Sequence, residues 1–163
     1  MRDNSTADML ASYVDALRPI IYINHFDSRV IDEAISCVSG HAKCVEFNNA
    51  LGAIDFRTKA PMLECDLEGF LKLTMDDGYE NETFLILKDV HEELRNPRVT
   101  ALLKRIAENN LYRDHYSATI FIESEITIIP RELENYITVF DIPLPSTTEI
   151  LDIIHKFIRD IDI

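Results

Sequence analysis

Four glycines and no tryptophan in 163 residues are the first constraint this sequence sets. Phosphate-cradling loops are glycine-rich, because backbone N–H groups must approach the ligand closely, and four dispersed glycines leave little material to build one. Basic residues are also scarce, since 16 Lys and Arg stand against 29 Asp and Glu for a formal charge of -13. That field opposes nucleic acid, where Lys and Arg supply most of the affinity by neutralising phosphates, and it opposes anionic membrane surfaces for the same reason. The three cysteines, Cys37, Cys44 and Cys65, are odd in number and form no CxxC pair. They read as reduced thiols rather than a disulfide framework. A zinc site around Cys37, His41 and Cys44 lacks the usual close ligand pairs, so these cysteines are expected to be buried small apolar side chains and no metal is expected. Residues Met1 to Asp8 carry no apolar signal core, and no apolar run approaches the ~20 residues of a membrane span. The expected compartment is the cytoplasm.

What is present is a 47% hydrophobic chain of single-domain length whose apolar period keeps switching. Residues 6–17 place Met9, Leu10, Tyr13, Val14 and Leu17 at helical spacing, and 19–24 form a short β-branched run. Val30, Ile31, Ala34, Ile35 and Val38 mark a second helix with Gly40 as its stop, and Lys43 to Asn48 a second strand. A loop through Gly52 and Pro61 leads to Asp66, which can cap a helix burying Leu67, Phe70, Leu71 and Met75 and ending at Asp77-Gly78. Thr83 to Leu87 is continuous and apolar, as a strand buried on both faces should be. Asn96-Pro97 starts a helix whose inward face is Val99, Leu102, Leu103, Ile106 and Ala107. Ala118 to Glu123 is a fourth strand, Pro130 to Leu133 a short helix, and Ile137 to Ile142 a fifth strand. Ser146-Thr147-Thr148-Glu149 is a capping-box pattern before a last helix expected to bury Ile150, Ile153, Ile154, Phe157 and Ile158. The alternation predicts an α/β domain, a three-layer α-β-α sandwich with a mostly parallel five-stranded sheet. The chain reaches Ile163 without a helix stop signal, which raises the expectation of a longer parent protein.

Ligands of an open parallel sheet bind at the carboxyl ends of its strands. Those ends read Asn24-His25-Phe26-Asp27-Ser28, Lys88-Asp89-Val90-His91-Glu92-Glu93, Glu123-Ser124-Glu125 and Pro143-Leu144-Pro145-Ser146. A hydrophobic strand ending in Asp (Phe84 to Asp89), a helix, a strand ending in a polar residue (Ala118 to Ser124), Ile129 to Leu133, and the stretch TVFDIPLPSTTE from Thr138 to Glu149 together resemble the core of an AAA+ ATPase. More narrowly, residues 8–160 are similar to the degenerate, P-loop-less ATPase-like domain that precedes the active one in some bacterial and plastid AAA proteins. The resemblance implies a P-loop NTPase-like fold and a single domain over 1–163, forming the N-terminal part of a longer protein. ATP and Mg²⁺ would then belong to the parent protein, and no cofactor to this chain. The partner implied is an AAA+ domain of the same parent chain or another protein, with an oligomer formed through the parent, and with neither nucleic acid nor membrane.

The departures from that family set the functional expectation. A P-loop needs G-x-x-x-x-G-K-[ST] after the first strand, where this chain reads Asn24-His25-Phe26-Asp27-Ser28-Arg29-Val30, without Gly or Lys. Asp27 would satisfy the free N–H groups of the helix start and repel a phosphate there. Active members follow the Mg²⁺-binding Asp with a Glu, whereas Asp89 is followed by Val90, and His91, Glu92 and Glu93 are out of register. The resemblance therefore implies a vestigial nucleotide site at Asp27, Ser28, Arg29, Asp89, Glu92 and Ser124, no catalytic residue, and an inactive interaction or regulatory module. Two alternatives stand beside it. One is a nucleotide-binding domain with a divergent phosphate loop using Arg29, Asp89 and Glu92. The other is a receiver-like phosphoacceptor domain centred on Asp89, for which Asp27 is the one acidic residue after the first strand and Pro143-Leu144-Pro145 occupies the slot of the required Lys. A serine hydrolase is disfavoured because no serine lies in a G-x-S-x-G elbow. His25 and His91 follow central strands and are expected near each other. The acidic run from Glu64 to Glu80 reads as a solvated face, with docking to a basic partner as the alternative.

Overall fold

In the computed structural model, which describes residues 5–77, 79, 81–112, 118–142 and 146–161, the parallel strands inside the sheet carry mostly buried side chains, while the strand at its edge buries only Phe140. β1 (Ile20–Asn24), β2 (Lys43–Asn48), β5 (Thr83–Lys88), β6 (Ala118–Ser124) and β7 (Ile137–Asp141) are the five strands that the period switches predict. Two more, β3 (Gly52–Asp55) and β4 (Pro61–Leu63), complete a seven-stranded sheet in the order β4-β3-β2-β5-β6-β1-β7. β3 pairs antiparallel with β2 and with β4, while the remaining pairings are parallel.

The five-stranded expectation is corrected here. The segment read as a loop through Gly52 and Pro61 is a short antiparallel extension. Its strands have four and three residues, too short to show a period, and β4 is wholly exposed. Gly52 is required at its start, with φ of 75° and the carbonyl of Leu63 where a Cβ would come within 2.6 Å.

Successive residues of each strand point to opposite faces, and two cores result. Tyr22, Val45, Phe47, Leu85, Leu87, Ile120 and Ile122 face α3 (Leu67–Asp77) and α4 (Pro97–Tyr112), which contribute Leu67, Phe70, Leu71, Val99, Leu103 and Ile106. Ile21, Ile23, Cys44, Phe84, Ile86, Phe121 and Phe140 face α1 (Ser5–Asp15) and α2 (Ser28–Ser39), which contribute Leu10, Ile31, Ala34 and Ile35. The layers are therefore helix, sheet, helix. Helix starts follow the sequence signals: Asp66 Oδ1 accepts the Gly69 N–H at 2.7 Å, and Asn96 Oδ1 accepts the Arg98 N–H at 3.0 Å. The Pro130–Leu133 helix is one 3-10 turn, Arg131–Leu133. Gly78 and the Pro143-Leu144-Pro145 turn lie outside the described residues.

Other expectations fail at the surface. Cys37 is exposed and Cys65 half-buried, leaving only Cys44 in the core. Met9, Leu17 and Val30 also point outward. The largest departure is α5 (Thr147–Ile161), where the capping box forms reciprocally between Ser146 and Glu149 but no residue is buried. Ile153 and Phe157 are each 64% exposed, and Ile150, Ile154 and Ile158 are also exposed. The periodicity correctly gives an amphipathic helix, but neither core receives its apolar face.

Candidate functional site

The residues at the strand ends are fixed by short local contacts. After β1, the Asp27 N–H donates to Nδ1 of His25 at 3.0 Å, and Asp27 Oδ1 accepts the Arg29 N–H at 3.0 Å as the N-cap of α2. The Ile31 N–H donates to the Asp27 carbonyl. His25 stacks on Phe26 at 4.7 Å, and Phe26 projects into solvent. The turn that would have to wrap a phosphate thus spends these amides on its own side chains. Arg29 lies 3.7 Å from Asp27 and is otherwise open to solvent, as is Ser28.

On the neighbouring strands, β5 ends at Lys88, and Asp89 is the exposed residue beyond it, at φ of 54° with its N–H donating to the Glu123 carbonyl. Glu92 is exposed between His91 and Arg95. Ser124 is buried, its Oγ 3.0 Å from Nδ1 of His91 and accepting the Ile126 N–H at 3.2 Å. The segment after β6 is further pinned over β1: Tyr22 donates to the Ile126 carbonyl and accepts the Ile128 N–H, and Asn24 bonds Thr127. Of the six residues that the family resemblance implies for a nucleotide site, Asp27 and Arg29 are joined to each other. Ser124 is joined to His91, and His91 in turn to Glu92. Asp89 is tied through its backbone to the residue before Ser124.

A charged cluster that the sequence does not announce lies beneath α2. Glu46, Lys88 and Glu123 come from the adjacent strands β2, β5 and β6 and share the α2 face, since Lys88 and Glu123 are register partners and Glu46 stands opposite Ile86. Asp32 of α2 closes the cluster from above, and Lys59 of the β3–β4 turn closes it from the side. Lys88 Nζ is 2.7 Å from Asp32 and 3.2 Å from Glu46, and Lys59 Nζ is 2.6 Å from Glu46 and 3.3 Å from Asp32. Burial alone would lower the Lys88 ammonium, but its hydrogen bond to Asp32 and the charges of Glu123, Asp32 and Glu46 outweigh this and hold it above its ordinary value. The missed signal is a lone charge inside an apolar strand, Glu46 within KCVEFN, yet only the strand order brings it beside Lys88.

An open groove of about 440 Å³ lies elsewhere, lined in part by Leu94, Arg95, Pro97, Lys104, Ile128 and Pro130, and none of the strand-end candidates lines it. Among the described residues, no three His, Cys, Asp or Glu side chains are grouped to hold a metal, and no helix is long and apolar enough to cross a membrane.

The model of the SpoVK-like AAA ATPase N-terminal domain matches residues 6–142. The chain belongs to this family. It is also 27% identical over 150 residues to the uncharacterized AAA domain-containing protein ycf46 of Guillardia theta, covering 81% of this chain and 26% of that protein. The domain thus spans about a quarter of the length of the curated relative it matches. Among solved structures, a DNA polymerase III gamma subunit-related protein from Thermotoga maritima superposes with a TM-score of 0.57 at 12% identity, covering 88% of this chain and 48% of that one. Saccharomyces cerevisiae RIF2 gives 0.52 at 15% identity, covering 91% and 58%. A chain of the Drosophila ORC structure bound to DNA gives 0.50 at 14%, covering 90% and 93%. At these identities the likeness is one of fold, and that fold is the AAA+, P-loop NTPase-like domain.

Proposed function

We propose that this AAA+ N-terminal domain is a catalytically inactive ATPase-like module, binding no nucleotide itself and serving as an interaction or regulatory domain of an AAA+ ATPase. The observation that carries this reading is the turn after β1. Its Asp27 and Arg29 amides are bonded to the side chains of His25 and Asp27, and a carboxylate occupies the helix N-terminus where phosphate would need positive potential. The end of β5 adds to it, because Asp89, at the position of the Mg²⁺-binding carboxylate, is followed by the buried Val90 where an active member carries the water-activating Glu. ATP and Mg²⁺ belong, in this reading, to another domain of the parent protein.

The partner is an AAA+ domain of the same parent or of another protein, and the parent supplies any oligomer. The uncovered apolar face of α5 supports a role in contact rather than chemistry. The charge of -13 argues against nucleic acid and anionic membranes as partners, and the odd, unpaired cysteines favour the cytoplasm. Isothermal titration of the 163-residue chain with Mg-ATP tests the reading: no measurable heat of binding is expected. Micromolar affinity that disappears in Arg29→Ala and Asp89→Ala variants would replace it with a nucleotide-binding domain using a divergent loop.

A further inference from the structure

The cluster beneath α2 has an unbalanced composition. It holds three carboxylates, Asp32, Glu46 and Glu123, against two ammonium groups, Lys59 and Lys88, so full ionisation would leave one net negative charge in a site where Glu46 and Glu123 are buried and Lys59 reaches solvent. Glu46 is satisfied by both lysines and by Asn48. Asp32 Oδ2 is satisfied by both lysines as well. Two of the other oxygens, Asp32 Oδ1 and Glu123 Oε2, are buried and without a hydrogen-bond donor. Glu123 is 4% exposed. A carboxylate oxygen accepts but does not donate, so two facing carboxylates can satisfy each other only when one carries a proton.

We propose that Glu123 of β6 carries a proton that it donates to the Asp32 carboxylate of α2 across the helix–sheet interface, so that the seating of α2 on the sheet is a pH-sensitive lock. The groups around it come from each packed element: Asp32 from α2, Glu46 from β2, Lys88 from β5, Lys59 from the β3–β4 turn, and the uncharged Ile23 beside Glu123 on β1. Burial is the main reason that Glu123 keeps its proton. The Lys88 charge works against this, and the Asp32 carboxylate, the hydrogen bond to it and Glu46 reinforce it, placing the Glu123 pKa at about 8. One proton therefore brings the cluster to neutrality at pH 7, and its loss adds an uncompensated charge under the helix that begins at Asp27.

The sign of the linkage follows. Glu123 holds its proton more tightly folded than unfolded, so its contribution to stability is full below the ordinary glutamate range near 4.5 and is lost as pH rises towards 8. Glu123→Gln keeps the shape and a donor but cannot ionise. Denaturant unfolding of the 163-residue chain and this variant should give a ratio of folding constants that shifts in favour of the variant by up to tenfold per pH unit from about 4.5 to 8, then levels off. In the unmutated chain with ¹³C-labelled glutamate, the Glu123 carboxyl carbon should titrate near pH 8, well apart from the exposed glutamates. A ratio that stays constant with pH overturns the proposal. So does a Glu123 resonance that titrates with the others, and this second measurement needs no variant to fold.

Discussion

α2 and α5 begin alike and end differently. Each opens on a side-chain cap, Asp27 for α2 and Ser146 with Glu149 for α5, and each carries apolar residues at helical spacing. α2 buries Ile31, Ala34 and Ile35 in the core and anchors its outer turn with Asp32 on Lys88 and Lys59. α5, whose apolar stripe is the more continuous, buries nothing. An amphipathic pattern states that a face must be covered, and it is silent on what covers it. For α2 the cover is the sheet and the seat is ionic. For α5 the described residues supply no cover.

The ionic seat of α2 gives the largest expected effect. Replacing Lys88 with Met leaves Asp32, Glu46 and Glu123 with one ammonium among three carboxylates, and losing one partner of a buried pair costs about 3–5 kcal/mol. Chemical denaturation at pH 7 should show this loss, and the double variant Lys88→Met, Asp32→Leu should recover part of it because one surplus carboxylate goes as well, leaving Lys59 to Glu46. A loss under about 1 kcal/mol would mean that the cluster is hydrated like a surface pair and that the seat of α2 is apolar alone.

These residues also mark where sequence reading stops. The five parallel strands and the capped helices were legible, because strands buried on both faces and helix caps leave local signatures, such as TFLILK and Asn96-Pro97. β3 and β4 were not, being too short to carry a period. The turn after β1 was legible as lacking glycine, but that His25 and Asp27 consume its amides required coordinates. The Lys88 cluster was hidden for a different reason. Asp32, Glu46, Lys59, Lys88 and Glu123 span 92 positions of sequence (32 to 123), and only the order β2-β5-β6 makes neighbours of them.

The cap of α2 sharpens the comparison at a smaller scale. Asp27→Ala removes the acceptor of the Arg29 amide and should cost about 1 kcal/mol, the usual value for an N-cap. The same change frees an amide and removes a negative charge from the helix start, yet Nδ1 of His25 still takes the N–H of residue 27. Mg-ATP binding should therefore stay undetectable by calorimetry. Gain of binding on this single change would make Asp27 the sole block and the turn an otherwise competent phosphate loop.

The smallest expected effect tests the other half of the comparison. Ile154 is 46% exposed on α5, so Ile154→Ala in the 163-residue chain removes little buried area and should change stability by no more than about 0.5 kcal/mol. Burying an isoleucine in a packed interface and then truncating it would instead cost roughly 2 kcal/mol or more. A cost of that size would therefore show that the stripe is covered in solution. Protein concentration distinguishes the two ways this can happen: a midpoint that rises with concentration points to a second copy, and one that does not points to α5 folding back on its own domain.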